Sequence, residues 1–184
     1  MGIVPRWIVL LTVFWGAAFG QSMTKTAVPS CTGEHLRASV KPGAIAAVRP
    51  HQAMTIALEN RSSAACKVEG VPDISFADSV KKPLPVHVCS NCPAYLFPVL
   101  PVETVVLQPR KSAYIVVEYT AVAGDAGCKD AATVSLRLTK DGKPVRIHLS
   151  GLRTCGVVDV TPLLPKLPPD GRFSGSEAAE DAEK

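Results

Sequence analysis

A β-hairpin closed by two cysteines is the feature that most constrains this chain. Cys128 and Cys155 bracket two strand-like runs on either side of Asp141-Gly142, a dipeptide that favours a two-residue type I′ turn. Such a turn sets the register by symmetry and places Cys128 opposite Cys155, which predicts a buried cross-strand disulfide. The inward pairs predicted by this register are Leu138 with Val145, Leu136 with Ile147 and Val134 with Leu149. The outward pairs are Ser135 with His148 and Arg137 with Arg146.

Residues 1–20 predict a secretory signal peptide. Arg6 precedes an uncharged apolar run from Trp7 to Phe19, and small residues stand before Gln21. The run is shorter than the roughly 20 residues that span a bilayer, so a membrane anchor is the less favoured alternative. We therefore expect export to the periplasm or the cell exterior after cleavage near Gly20, and no transmembrane segment in the mature chain.

All six cysteines lie in the mature chain. In an exported protein an even number indicates disulfides, whereas in the cytosol the same number would indicate metal or redox chemistry. Many pairings are formally possible, and hairpin geometry selects among them. The predicted disulfides are Cys31–Cys66, Cys89–Cys92 and Cys128–Cys155.

Short runs of alternating apolar and polar residues fill the chain from residue 31 to 164. Leu36, Ala38 and Val40, for example, alternate with polar neighbours, which is typical of strands with one buried face. The pattern predicts an all-β domain, an antiparallel, disulfide-stabilised immunoglobulin-like sandwich of about seven or eight strands. Residues 21–30 are predicted to form a flexible lead, and residues 165–184 a disordered acidic tail.

The segment from Val80 to Pro101 interrupts this pattern with five prolines in its span. Prolines at this density exclude central strands, so we expect an irregular loop with at most a short edge strand at residues 86–88. Long loops frequently carry binding sites. The segment is therefore the predicted location of function.

Within this loop, His87, Cys89 and Cys92 form the densest group of potential metal ligands. Two thiolates and an imidazole could bind Cu(I) or Zn(II), and a Cys-x-x-Cys pair could be redox-active. A redox pair of the thioredoxin type opens a helix, however, whereas Pro93 follows the pair here. A structural disulfide without metal or cofactor is the favoured interpretation, and metal binding or thiol chemistry stays as the alternative.

No other group of residues predicts catalysis. The chain has no nucleophile elbow, zinc-binding helix or phosphate-binding glycine loop, and His35, His51 and His148 are predicted to lie apart on the surface. We therefore expect no catalytic residues. The net charge of +4 is spread along the chain and aromatic residues make up 5% of it, which argues against nucleic-acid binding.

Several cysteines and turn residues together resemble a known family. They are Cys31, Asn60-Arg61-Ser62, Cys66 with Gly70 and Pro72, Leu107-Gln108-Pro109, Cys128 and Cys155-Gly156. From Cys31 to Leu164 the chain resembles the bacterial exported "domain of unknown function 4232" family, which occurs in secreted proteins and lipoproteins. The resemblance implies an exported β-sandwich with two disulfides from the four shared cysteines, and no activity.

The chain departs from this family pattern at two places. Arg110 stands where glycine is usual after Pro109, and the pair Cys89 and Cys92 is not part of the common pattern. The tripeptide Asn60-Arg61-Ser62 also matches a glycosylation acceptor, but the bacterial resemblance favours a structural turn at this position.

The sequence thus predicts a non-enzymatic binding module of the cell envelope or secretome. We expect it to contact an unknown protein or surface ligand through the loop from Val80 to Pro101. A metal-binding or thiol-redox protein using His87, Cys89 and Cys92 is the alternative. A third hypothesis is an inhibitor that presents the stapled loop to an enzyme.

Overall fold

The computed structural model describes residues 27–122, 126–140 and 142–176. Within these ranges the regular structure consists of ten strands and no helix. The strands are β1 (Leu36–Lys41), β2 (His51–Asn60), β3 (Cys66–Val68), β4 (Asp73–Ala77), β5 (His87–Ser90), β6 (Val105–Leu107), β7 (Ser112–Thr120), β8 (Lys129–Arg137), β9 (Val145–Thr154) and β10 (Val157–Val160). The count exceeds the predicted seven or eight, and β3 is a strand of three residues that was not predicted separately from β4.

The strands form a sandwich, which confirms the predicted fold class. One sheet has five strands in the order β1-β2-β7-β10-β5, and a second has three in the order β4-β8-β9. The orders β1-β2-β7 and β4-β8-β9 correspond to strands ABE and CFG of an immunoglobulin-like sandwich. Strands β3 and β6 form a separate pair, and β5 joins the larger sheet in parallel to β10.

The inner faces of the two sheets enclose the main hydrophobic core. Alternation works as predicted on β8, where Val134 and Leu136 are fully buried while Ser135 between them faces outward. On β7, by contrast, Ile115, Val116 and Val117 are all fully buried. Both faces of this strand are therefore covered, and a second cluster of apolar residues lies on the outer side of the five-stranded sheet.

The opening hairpin forms, but its register differs from the prediction near the turn. Leu136 faces Val145 and Val134 faces Ile147, a shift of two residues, because the turn closes one residue earlier, with the Gly142 N–H donating to the Thr139 carbonyl at 3.1 Å. Asp141 lies outside the described residues. The shift keeps the same side chains facing inward, since the side-chain period of a strand is two.

A bulge in β9 then restores the predicted register at the open end. Residues 149–151 stand opposite Ala132 alone, after which Ala131 faces Leu152 and Lys129 faces Thr154. The two extra residues in β9 offset the two-residue register shift caused by the early turn. Cys128 and Cys155 therefore lie opposite each other, as predicted. The outward pairs become Ser135 with Arg146 and Thr133 with His148, and Arg137 faces Asp73, so the predicted Arg137–Arg146 and Ser135–His148 pairs are wrong.

The prediction of a disordered tail is wrong for residues 165–176. Phe173 is buried and meets the ring of Phe97 edge-on, with centroids 5.9 Å apart. Gly171 is in the left-handed region at φ 72°, and its carbonyl accepts the Ala46 N–H at 2.9 Å. A Cβ at Gly171 would lie 3.2 Å from the Ala44 carbonyl oxygen, so this close approach favours glycine. Residues 177–184 lie outside the described part.

The lead before the first cysteine is also partly ordered. Ser30 forms a parallel bridge with Lys67, whose N–H donates to the Pro29 carbonyl at 2.8 Å. The predicted flexible lead is therefore wrong at these last residues, because β3 offers a free edge to them.

The signal peptide and its predicted cleavage near Gly20 lie outside the described residues. In the described part of the chain, no helix is long and apolar enough to cross a membrane.

The turn residues of the family-like pattern have structural roles. The buried Asn60 amide donates to the carbonyls of Ala64 and Leu107 at 2.8 and 2.9 Å, and its oxygen accepts from the Ser62 N–H and hydroxyl. A fully buried and satisfied side chain cannot carry a glycan, which supports the structural interpretation. Arg110 has φ 67°, a conformation that glycine adopts without strain, and this explains why glycine is usual at that position.

Candidate functional site: an acidic cleft

The proline-rich segment from Val80 to Pro101 contains β5, the edge strand of the five-stranded sheet. β5 runs from His87 to Ser90, one to two residues later than predicted, and pairs in parallel with β10. Directly after it, Asn91 adopts φ 56° and turns the chain, which brings Cys92 back to Cys89 in a disulfide. The Cys89–Cys92 disulfide, which we call the staple, therefore fixes the point where the loop leaves the sheet.

The Asn91 side chain also joins the two ends of the loop, in addition to the Cys89–Cys92 disulfide. Its amide nitrogen donates to the Leu100 carbonyl at 2.9 Å, and its oxygen accepts the Leu100 N–H at 3.0 Å. Its own N–H donates to the Val160 carbonyl at 2.7 Å. One side chain thus holds both ends of a ten-residue excursion, in a left-handed conformation that asparagine tolerates better than most residues.

The middle of the loop is anchored on the outer face of the sheet. Leu96 and Phe97 are almost completely buried there, together with Val116, Ile45 and Phe173. The sequence predicted an irregular loop but not its anchoring, in which two of its apolar side chains insert into a second hydrophobic cluster. What remains exposed is the rim of the loop around Pro93 and Val99.

A buried carboxylate ties this loop to the sheet. Glu118 lies on β7 with only 2% of its surface exposed. One carboxylate oxygen accepts the Leu96 N–H at 2.7 Å, and the other lies 2.7 Å from His51 Nδ1. Both oxygens are therefore occupied, as a buried charge requires.

His51 and Tyr95 form a stacked wall above Glu118. His51 opens β2 and stands opposite Thr120, two residues along the same face from Glu118, so the pleat directs both side chains outward. The rings of His51 and Tyr95 are nearly parallel, at 15°, with centroids 4.4 Å apart. Sheet and loop are thus joined by the Leu96–Glu118 hydrogen bond and the His51–Tyr95 ring pair, while the His51–Glu118 contact links β2 to β7 within the sheet.

A second carboxylate lies beside Glu118 in the same row of the sheet. Asp159 on β10 stands directly opposite Glu118 and, on its other side, opposite Cys89. Burial raises the pKa of Asp159, and repulsion from Glu118 raises it further, whereas His51 and His87 oppose the shift. The half-buried Asp159 has no hydrogen-bond partner among the described residues.

These groups converge on an open cleft of about 430 Å³, which we call the acidic cleft. It is lined by His51, Pro93, Ala94, Tyr95, Glu118, Tyr119, Thr120, Val157 and Asp159. The lining holds two carboxyl groups and one imidazole, so acidic groups outnumber basic ones. Burial also raises the pKa of Tyr119, and its phenol therefore stays neutral at physiological pH.

The ligand set proposed from sequence for a metal is not assembled. The sulfurs of Cys89 and Cys92 are bonded to each other, so they offer no thiolate, and His87 is exposed at the sheet edge. The described residues hold no group of three or more His, Cys, Asp or Glu side chains placed to bind a metal ion. The disulfides join Cys31 to Cys66, Cys89 to Cys92 and Cys128 to Cys155, the same pairs that the sequence predicts.

The sequence interpretation missed the most important residues of the cleft. It treated His51 as an isolated surface histidine and recognised no carboxylate pair, whereas the fold brings His51, Glu118 and Asp159 together from three strands. The only signal was Glu118 within the otherwise apolar, aromatic strand AYIVVEY. His35 and His148 do lie apart and stay outside the cleft.

Comparisons with known proteins agree with the fold. A search of curated proteins finds no match, whereas a family model described as "Domain of unknown function (DUF4232)" matches residues 31–163. The match covers most of the sandwich and includes the cysteines Cys31, Cys66, Cys128 and Cys155. The three disulfides indicate a non-cytoplasmic protein, in line with that family resemblance. The chain therefore belongs to the domain of unknown function 4232 family.

Proposed function

We propose that this domain is a non-enzymatic, exported binding module and that the acidic cleft is its ligand site. The observation that carries the proposal is the half-buried Asp159 carboxylate, which faces the cleft without a hydrogen-bond partner among the described residues. Leaving a carboxylate partly desolvated costs free energy. A ligand that supplies a positive charge and hydrogen-bond donors would remove that cost, so the cleft is suited to a cationic group.

The wall of the cleft narrows the ligand chemistry further. The aromatic ring of Tyr95 lines the same cleft as the two carboxylates, and aromatic faces attract ammonium and guanidinium groups. A lysine or arginine side chain of a partner protein matches both features, since it combines an apolar stem with a charged head. The partner is therefore expected to present a basic side chain at the rim of the proline-rich loop.

The arrangement of the loop supports binding over catalysis. Glu118 is held by His51 and Leu96, so its carboxylate serves the architecture, and the cleft lining includes no serine, lysine or free cysteine. The loop itself is fixed by a disulfide, an amide bridge and buried side chains. Such preorganisation lowers the entropy lost on association.

Titration of the full chain with short peptides tests this function. We expect a lysine or arginine peptide to bind saturably, and its acetyl-lysine or citrulline counterpart to bind at least tenfold more weakly, because only the former carries the charge. Asp159→Asn should reduce the affinity by about tenfold. The matched control is Glu103→Gln, which removes an exposed carboxylate outside the cleft.

Two results would contradict the proposal. Equal affinity for charged and neutralised peptides would exclude a cationic ligand group. An equal loss of affinity in the Asp159 and Glu103 variants would show that general charge attraction, and not this cleft, accounts for binding. Isothermal titration calorimetry at two salt concentrations separates these cases, since screened surface attraction weakens with salt.

A further inference from the structure

A second depression lies on the other side of the sandwich, on the outer face of the three-stranded sheet. It encloses about 520 Å³, a volume typical of small-molecule sites. Its polar lining side chains are Ser75, Thr133, Ser135, Lys81, Arg146 and His148, and we call this depression the basic groove. It shares no lining residue with the acidic cleft.

The register of the sheet builds the floor of the basic groove. Ser75, Ser135 and Arg146 stand in one row across β4, β8 and β9, and Thr133 and His148 stand opposite each other in the next row. The residues that alternate with them, such as Val134 and Leu136, point into the core. Three hydroxyls therefore line the floor, with an arginine and a histidine along one edge.

A cation from the opposite edge completes the groove. Lys81 follows β4 and adopts φ 65°, with its N–H donating to the Asp78 carbonyl at 3.1 Å. Pro83 returns along the end of β4 by a bridge to Ala77. This turn fixes the backbone of Lys81 at the rim, so that positive charge borders the hydroxyl floor on two sides.

The groove has no negative charge of its own. None of the lining residues is acidic, and among the described residues no carboxylate forms an ion pair with Arg146. Asp73 lines an adjoining depression together with Arg146, but its ion pair is with Arg137, at 3.9 Å. Arg146 is therefore a guanidinium that is available to an outside anion.

We propose that the basic groove binds the phosphate group of a small soluble phosphate ester. A phosphate presents several acceptor oxygens in three dimensions, which matches an arginine fork, a lysine at the rim and hydroxyl donors below. A carboxylate has only two acceptor oxygens, both in one plane, and can therefore use fewer of these donors at once. The volume leaves room for the organic part of the ester beside the phosphate.

The test is an NMR titration of the full ¹⁵N-labelled chain at fixed ionic strength, with inorganic phosphate, glycerol 3-phosphate and acetate. We expect saturable shifts at the amides of Ser135 and Arg146 with both phosphates, tighter binding of the ester, and weaker binding of acetate. Arg146→Gln should weaken phosphate binding by about tenfold, and Ser135→Ala by about threefold. The matched control, Arg37→Gln, removes an exposed arginine of β1 and should leave the affinity unchanged.

Three outcomes would overturn the proposal. Shifts that grow linearly without saturation, or an equal loss in the Arg146 and Arg37 variants, would mean only a general attraction of anions to a positively charged chain. Tighter binding to phosphatidic acid vesicles than to the soluble ester, lost in the Arg146 variant, would identify a lipid headgroup instead. Because the acidic cleft contributes nothing to these titrations, their outcome is independent of the function proposed above.

Discussion

The two sheets of the sandwich present their outer faces to solvent in opposite ways. The face of the five-stranded sheet is covered by Leu96 and Phe97 of the proline-rich loop and by Phe173 of the C-terminal segment, with the buried Glu118 beneath. The face of the three-stranded sheet is left open and carries hydroxyls and cations such as Ser135 and Arg146. The covered face borders the acidic cleft, whereas the open face carries the basic groove.

This difference shows that one sandwich can present a covered outer face and a solvent-exposed polar outer face. On the covered face, the buried Glu118 carboxylate is satisfied by internal partners and is part of the stability of the domain. On the open face, polar groups are solvated and contribute little to stability. The predictions below compare the two faces, beginning with the largest effect on stability.

Removing Phe97 should have the largest effect. Phe97 is fully buried in the second cluster, and truncating such a ring to alanine typically costs about 3–5 kcal/mol. Urea denaturation of Phe97→Ala measures the loss. Val99→Ala in the same loop is the control, since Val99 is 58% exposed, and it should change stability by less than about 0.5 kcal/mol. A loss below about 1 kcal/mol for Phe97→Ala would mean that the burial of this ring contributes little to the stability of the domain.

Removing the buried carboxylate should release the loop. In Glu118→Ala the Leu96 N–H and the His51 ring lose their partner, which we expect to cost about 2–3 kcal/mol. Glu118→Gln keeps an acceptor for Leu96 and should cost less. Hydrogen exchange at the Leu96 amide reports the release directly. The idea fails if this amide exchanges equally slowly in the alanine variant and in the parent chain.

Replacing Cys89 and Cys92 by serine should have an intermediate effect. The short closed loop predicts a loss of about 2 kcal/mol on the chain-entropy estimate, confined to the covered face. We expect thermal melting to shift downward while metal content, measured by mass spectrometry, does not change. A metal that is present in the parent chain and lost in the variant would restore the alternative based on His87 and the two cysteines.

Neutralising Asp159 should have the smallest effect on stability, in the stabilising direction. Burial and the nearby Glu118 raise the pKa of Asp159 in the folded state above its ordinary value, so the folded state binds more protons than the unfolded state as the pH falls through that raised value. The contribution of Asp159 to stability therefore improves from neutral pH towards acid and is unfavourable at neutral pH. Asp159→Asn should stabilise by less than about 0.5 kcal/mol at pH 7, since solvent screens the charge of this half-exposed group.

Denaturant titrations of the Asp159 variant and the parent from pH 7 to pH 4 test this sign. The difference in the free energy of unfolding between the variant and the parent should become smaller as the pH falls. A gap that widens on acidification would mean that Asp159 is stabilised in its charged form, which would remove the argument for a cationic ligand. Asp130→Asn, at an exposed carboxylate near Arg153, serves as the control for general charge effects.

The hairpin shows how much of the fold the sequence could predict. Near the turn, alternation predicted the core-facing side chains Val134, Leu136, Val145 and Ile147, which are buried, because a shift of two residues does not change a face. Beyond the bulge the alternation changes, and Ala131 and Leu152 are the buried residues there. The turn position and the bulge in β9 were missed, since neither has a composition that distinguishes it from its neighbours. The two errors cancelled at Cys128 and Cys155.

The candidate site was less predictable for a physical reason. The disulfide loop could be located because prolines and cysteines mark it locally. The acidic cleft joins His51, Glu118 and Asp159 from strands far apart in sequence, and only the order of the strands in the sheet makes them neighbours. The burial of Leu96 and Phe97 was missed because the alternation rule has no counterpart for irregular segments.

The position of β5 at the sheet edge has a consequence for association between copies of the chain. An edge strand exposes unpaired backbone groups that can recruit another strand, and β5 is one of the two edges of the larger sheet. It is only four residues long, prolines precede and follow it, and the Cys89–Cys92 bridge turns the chain away directly after it. The same staple that shapes the cleft thus shortens the edge available for strand addition and protects the domain against aggregation.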